Sequence, residues 1–368
     1  MDTDALRYSR IRYRLLLVHW LTGVAWLAFV QGSGASVALA RWWAKRLPSE
    51  SLVILGYLAV VGMASYLVTL PVHYYGGFVL ERRFGLSRLT GPGWLRREVK
   101  HLGLRAVISL ALVEGLYALL RGIPNRWPMW ATIGWVLFSV VLARVFPTLL
   151  LPLLYRTTPL HDSVLARRLL NLCRRAGLSV LGVFRVELGT ETRKANAALA
   201  GLGTTRRVLV SDTLLCEFSP EEIEGVLAHE LAHERYHHIH KLLFISAVGS
   251  WIAFWLTAHV SGWWIGALRL ASLSDIAGFP MLLLWFSLLG MIGLPLQQGI
   301  SRGFEWQADR FAVELTKQPR AFANALRRLA QLNLADPNPP RWIVWFLYDH
   351  PPITERIRAA EQADLVVT

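Results

Sequence analysis

Val226-Leu-Ala-His-Glu-Leu-Ala-His-Glu234 carries His-Glu-x-x-His inside a run that reads as helix. His229 and His233 are one helical turn apart, so both imidazoles project from one face. Two neutral imidazoles at that spacing suit a zinc ion, and Glu230 falls beside the position such a metal leaves open. A carboxylate there can take the proton from a metal-activated water, which is the chemistry of peptide-bond hydrolysis. A tetrahedral catalytic zinc needs a third protein ligand. Downstream, Ser301-Arg-Gly-Phe-Glu305-Trp-Gln-Ala-Asp309-Arg-Phe-Ala312 forms a second helical pattern with Glu305 and Asp309 four residues apart. Glu305 can complete the ligand set. Asp309 can accept a hydrogen bond from the far nitrogen of a ligating histidine, His229 being the expected donor. His237, His238 and His240 are read as helix-surface residues or supports of the ligands, since three ligands suffice.

The rest of the chain is too apolar for an ordinary soluble enzyme. Of 368 residues, 54% are hydrophobic and 17% charged, with a mean hydropathy of +0.38, which points to a mainly α, polytopic membrane protein. Sixteen tryptophans agree, because Trp gathers at membrane interfaces. Cys173 and Cys216 give no disulfide framework and read as free thiols. The net charge of +14 is mostly arginine. No aromatic-basic recognition module accompanies it, so nucleic acid is not an expected partner; juxtamembrane arginines account for the charge, and membrane lipids are the expected surroundings.

Six segments are long enough to span a bilayer, near 15–40, 52–72, 104–120, 130–155, 242–268 and 280–296. The helix bearing His229 reads as running straight into the fifth. The Arg-rich leader and Ala38-Leu-Ala40 admit a cleavable signal peptide, but the length of the stretch and its His19, Gln31 and Gly32 favour a retained helix. Arg7, Arg10, Arg12 and Arg14 precede the first span, and Arg82, Arg83, Arg88, Arg96, Arg97 and Lys100 fill the second connection. The positive-inside rule therefore puts the N-terminus and the His229 region in the cytoplasm. An even number of spans returns the C-terminus to the same side. The expected divisions are N-terminal transmembrane helices over 1–155, a cytoplasmic insert over 156–241, further spans over 242–300 and a site-closing segment over 301–368. Glu114, inside the third span, is costly in lipid and is expected to face a chamber or a partner.

Within the insert, 159–176 reads as an amphipathic helix and 182–188, 195–199 and 208–211 as strands, with a turn at Gly201-Leu-Gly203. Zinc peptidases often hold substrate as an added strand, because main-chain hydrogen bonds grip any sequence. Asn196 is the polar side chain expected at that edge. Near the C-terminus, Tyr348-Asp-His350-Pro-Pro-Ile-Thr-Glu355-Arg356-Ile-Arg358 has two prolines fixing an extended turn before a helix, with Thr354 a candidate cap. His350 could then donate to the oxyanion formed on the carbonyl, and Arg356 could orient an acidic ligand.

Several stretches together resemble the type I CaaX prenyl protease family. They are Arg7-Tyr-Ser-Arg-Ile-Arg-Tyr13, Phe78-Val-Leu-Glu-Arg-Arg-Phe-Gly85, Phe146-Pro-Thr-Leu-Leu-Leu-Pro-Leu-Leu-Tyr-Arg-Thr-Thr-Pro-Leu160, Asn196-Ala197 and Val208-Leu-Val-Ser-Asp-Thr-Leu-Leu215, with the two metal motifs and His350-Pro-Pro-x-x-Glu-Arg356. The resemblance implies one zinc per chain held by His229, His233 and Glu305, Glu230 as catalytic base, and Asn196 and His350 in substrate and transition-state contacts, with Arg356 near the site. It also implies a barrel of membrane helices, commonly seven, around a water-filled chamber, and a peptide or protein substrate that can be lipidated. The six spans become seven if the His229 helix joins the bundle. One departure stands out: an aromatic residue is expected after Asn196, and here Ala197-Ala-Leu-Ala-Gly201 follows. The arginine-rich, lysine-poor composition points to a bacterial inner-membrane protein, in a setting where prenylation is generally absent. A membrane quality-control protease without a prenyl requirement is therefore the alternative. A non-enzymatic transporter or pseudo-peptidase is a third class, disfavoured because an ion carrier does not need Glu230.

Overall fold

The computed structural model describes residues 3–160, 164–201 and 203–367. Its membrane half begins with α1 (Thr3–Gly32), α2 (Ala35–Ala44), α3 (Glu50–Tyr74) and the short α4 (Glu81–Arg83), continuous with α3 through a π-helical turn at Tyr75–Leu80. Next come α5 (Gly91–Gly122), α6 (Trp127–Val145) and α7 (Leu151–Leu154). The small sheet follows, with β1 (Thr157–Pro159), α8 (Val164–Arg175), β2 (Val183–Val186), β3 (Ala197–Ala200), β4 (Arg207–Ser211) and α9 (Asp212–Glu217). Then α10 (Pro220–Arg235), α11 (His238–Ala267), α12 (Phe279–Thr316), α13 (Pro319–Leu332), α14 (Arg341–Leu347) and α15 (Ile353–Val367) complete the chain.

Six helices are long and apolar enough to cross a membrane, as expected. They form a closed ring: α1 meets α3, α3 meets α5, α5 meets α6, α6 meets α11, α11 meets α12, and α12 returns to α1. Indole N–H groups tie neighbouring staves, Trp26 to Ser65, Trp135 to Ser246 and Trp285 to Thr257, each at 2.9–3.1 Å. Only 6 to 22% of each apolar stretch is buried. Helices that close a ring yet bury so little leave space inside it, so the bundle is a hollow barrel rather than a packed core. Two boundaries differ from expectation. The first span stops at Gly32 and the chain turns at Gly34, in the left-handed region at φ 77°, before α2. The fourth ends at Val145, where a π-helical turn over Phe146–Leu150 interrupts the helix.

The seventh helix of the alternative count is not a span. α10 has 16 residues and lies in the core formed with α8, α13 and the sheet. Nor does it run straight into α11, because His237 takes a left-handed conformation (φ 58°) and breaks the axis. α12 is the other key element. Its 38 residues reach about 57 Å, nearly twice the hydrocarbon thickness of about 30 Å. One end therefore stands clear of the barrel and carries Glu305 and Asp309 to α10. It runs unbroken across residues 300 and 301.

The sheet has four strands in the order β1-β2-β4-β3, with β2 and β4 parallel and the outer pairs antiparallel. Thr157–Pro159 is a strand the sequence reading missed; it is only three residues long and ends in proline, tolerable at an edge. The helix expected over 159–176 is seen from Val164 to Arg175: Pro159, its expected start, belongs to β1 instead, while 161–163 lie outside the described residues, as does Leu202 of the expected turn.

Candidate metal centre

α10 is set by strong local signals. Ser219 and Glu222 form a reciprocal capping box and Pro220 occupies the first turn. Gly225 lies where a Cβ would come within 3.2 Å of the Phe322 ring, so α13 can approach closely. Ala228 and Ala232 on α10, with Ala308 and Ala312 on α12, have no exposed surface. Side chains this small let the two helices pack near enough for a glutamate on one to reach histidines on the other.

The donors converge. His229 Nε2 is 3.3 Å from His233 Nε2 and 3.1 Å from Glu305 Oε2, and His233 Nε2 is 3.3 Å from Glu305 Oε1. Bonds of about 2.0–2.1 Å in a tetrahedral site hold donors about 3.3 Å apart. Glu305 Oε2 is buried and makes no hydrogen bond, as a metal-facing oxygen should. Two imidazoles and a carboxylate are also the donor types such an ion takes, so the residues fit it.

Around this triangle the structure brings together the other expected residues. His229 Nδ1 donates to Asp309 Oδ1 at 2.9 Å. Arg356 grips both Asp309 oxygens, from Nε at 2.8 Å and from a terminal nitrogen at 2.7 Å. Arg356 therefore orients the carboxylate that orients His229. Burial pushes the His229 ring down, but the Asp309 and Glu305 carboxylates more than offset this and hold it up at about 9. Burial, then the charge on His229, pushes His233 down to about 4. Burial raises Glu230, which lines a groove of about 490 Å³ with Asn196, Tyr348, His350 and Arg356. His350 Nε2 lies 3.2 Å from Glu305 Oε2, while its Nδ1 meets Asp349 at 2.7 Å. Pro352 accepts from the N–H groups of Glu355 and Arg356, so the Pro-Pro turn leads directly into α15. Thr354 is not the cap expected of it: its hydroxyl donates to the Pro337 carbonyl.

Asn196 is exposed immediately before β3, one of the two edge strands, with its main chain bonded to Ser211. Glu114 is half-buried, with no ion pair among the described residues. Sequence reasoning left His238 as either a helix-surface residue or a support of the ligands and passed over Gln307; the two stand together behind His233. His238 is five residues beyond His233, a spacing that faces away on an unbroken helix, and only the turn at His237 brings it back.

Comparison with known proteins follows the same division of the chain. Residues 159–364 match the model of peptidase family M48, and residues 3–156 match the CAAX prenyl protease N-terminal model, described as five membrane helices. The chain belongs to peptidase family M48. As an M48 member with membrane-spanning helices it is a membrane-embedded metallopeptidase acting on peptide or protein. Four membrane-length helices fall within 3–156. The chain is 27% identical over 366 residues to the uncharacterized metalloprotease YhfN of Bacillus subtilis, covering 98% of this chain and 85% of that one. It is 27% identical over 338 residues to CAAX prenyl protease 1 of Saccharomyces cerevisiae, covering 85% of this chain and 72% of the other. The crystal structure of S. mikatae Ste24p superposes with a TM-score of 0.87 at 24% identity, over 97% of this chain and 88% of that chain. That likeness establishes the helical-barrel fold of this M48 chain.

Proposed function

We propose that the chain is a zinc endopeptidase whose ion is held by His229, His233 and Glu305. The observation that carries this is the convergence of His229 Nε2 and His233 Nε2, 3.3 Å apart, on the Glu305 carboxylate, each within 3.3 Å of one of its oxygens, spacings close to the edge of a tetrahedral zinc site. Bound there, zinc supplies Lewis acidity, making a water nucleophilic at neutral pH and polarising a carbonyl. Glu230 takes a proton from the attacking water on its carboxylate and returns it to the departing amine nitrogen. Burial raises its affinity for that proton, which suits a group that must hold one between two steps. His350, anchored through Nδ1 by Asp349, donates from Nε2 to the oxyanion. Asp309 and Arg356 keep His229 in the tautomer that presents Nε2.

The substrate adds as a strand beside β3. Ser211 N–H donates to the Asn196 carbonyl, so Asn196 and Ser211 form a hydrogen-bonded pair. By antiparallel alternation Ala198 and Ala200 also bond β4, while Ala197 and Leu199 turn their N–H and C=O groups to the open edge. A peptide lying there passes Asn196 and reaches Glu230 along one groove.

The substrate class is a peptide lying within the barrel, with lipidation read by the chamber, since several relatives are named CAAX prenyl protease. The site faces the cytoplasm of a bacterial inner membrane. The arginine distribution supports this, and so does a contact that puts the start of α1 at the site: Tyr13 bonds Asp336 at 3.0 Å and Tyr348 at 2.8 Å. The test is mass spectrometry of two peptides, identical except for a farnesyl group, incubated with purified protein and with Glu230→Gln as the blank. Cleavage of the farnesylated peptide alone supports lipid reading; equal cleavage of both makes it a general membrane protease. Equal cleavage by wild type and Glu230→Gln would sink the mechanism.

A further inference from the structure

The two histidines facing the metal site are supported differently. His229 leans on the carboxylate of Asp309. Behind His233 stands a neutral chain: His233 Nδ1 is 3.1 Å from His238 Nδ1, and His238 Nε2 is 2.9 Å from Gln307 Oε1. The direction of these bonds follows from chemistry. An amide oxygen only accepts, so His238 Nε2 carries a hydrogen. A neutral imidazole with hydrogen on Nε2 has a bare Nδ1, which must then accept from His233 Nδ1–H. That leaves the lone pair of His233 on Nε2, the atom turned towards His229 and Glu305.

His238 is well fixed for this work. It has no exposed surface, and its ring stacks on Phe304 at 4.4 Å and 10°. Both its nitrogens are engaged, so it is not a fourth ligand. It also opens α11 while Gln307 and Phe304 belong to α12, so two barrel helices set the ring. The left-handed turn at His237 is what folds His238 back behind His233.

We infer that His238, fixed by Gln307, is a positioning residue that holds His233 in its metal-binding tautomer. This rests on His233 being a ligand. The test is zinc affinity, measured on the detergent-purified full chain by competition with a chelator, alongside thermal unfolding of each metal-free form. His238→Leu removes the acceptor, and zinc affinity is expected to fall about 10- to 100-fold. His238→Asn places an amide oxygen near the lost Nδ1 and is expected to recover most of that loss. Wild-type affinity in His238→Leu overturns the inference. So does an Asn variant as weak as the Leu variant, since the ring would then serve by packing alone. Should His238→Leu fail to fold, Gln307→Leu carries the test, with a several-fold loss expected and an unchanged affinity decisive against. A wild-type protein that binds no zinc overturns the ligand assignment itself, a different failure.

Discussion

Replacing Glu230 by glutamine keeps the shape of the side chain and removes its proton affinity. Turnover is expected to fall by about 10²–10⁴-fold or more, with zinc content by elemental analysis unchanged because Glu230 is no ligand. Arg356→Leu acts elsewhere. It leaves the Asp309 carboxylate buried with His229 as its remaining hydrogen-bond partner, and stranding a buried charge costs about 3–5 kcal/mol. A lower thermal midpoint together with lost activity is the expected outcome. The metal-free histidines give a pH signature. His229, held at about 9 in the fold against roughly 6.5 when unfolded, stabilises the protein below about 6.5, and that contribution is lost as pH rises through about 9. His233 at about 4 acts oppositely, its contribution falling away as pH drops towards that value. Zinc must displace the His229 proton, so its affinity should rise by about tenfold per pH unit up to about 9. Unfolding of chelator-treated protein from about pH 4 to 9.5 checks the two stability effects, and zinc titrations between neutral pH and about 9.5 check the affinity.

At the scale of elements, α10 sets the two metal-facing histidines, and β3 is the strand proposed to align substrate. The capping box starts α10 at a fixed residue, and from there helical spacing alone sets His229 and His233 on one face. β3 is an edge strand whose alternate residues face two ways. Leu199→Pro removes an N–H that faces the open edge of β3, where the substrate strand is proposed to lie, so KM is expected to rise roughly 2- to 10-fold, the worth of one hydrogen bond, with little change in stability. Ala198→Pro instead breaks the ladder to Leu209 and is expected to lower the thermal midpoint. Kinetics and unfolding of the pair separate the two faces. α12 joins barrel and site in one rigid rod, so its apolar length and its Glu305-x-x-x-Asp309 turn belong to a single element.

The whole molecule offers a native reporter of orientation. Cys216 is exposed in α9 on the side of the metal centre, whereas Cys173 is buried, which pushes its thiol up to about 11. With the site on the cytoplasmic face of an inner membrane, as proposed, a membrane-impermeant maleimide is expected to label Cys216 in inverted vesicles and to leave intact spheroplasts unlabelled. Labelling from the spheroplast exterior would place the site on the opposite side. The barrel itself shows why such a protein tolerates so much apolar surface. Its helices pair with neighbours along narrow seams and leave their remaining faces to lipid on one side and to the chamber on the other.

The sequence by itself determined whatever is local. Hydropathy gave the six spans, since twenty apolar residues suffice to cross a bilayer. Helical periodicity put His229 beside His233 and Glu305 in line with Asp309. Tertiary structure decided whatever depends on distant residues meeting. The chain does not state that α12 returns to α1, which closes the barrel, or that Arg356 reaches Asp309 across 47 positions. It hides β1, too short for any alternating pattern to emerge. Nor does it choose between surface and support for His238, because a spacing of five residues faces away from His233 on a continuous helix. One residue in the left-handed region, His237, reverses that, and such a conformation at a non-glycine position carries no periodic signal in the sequence.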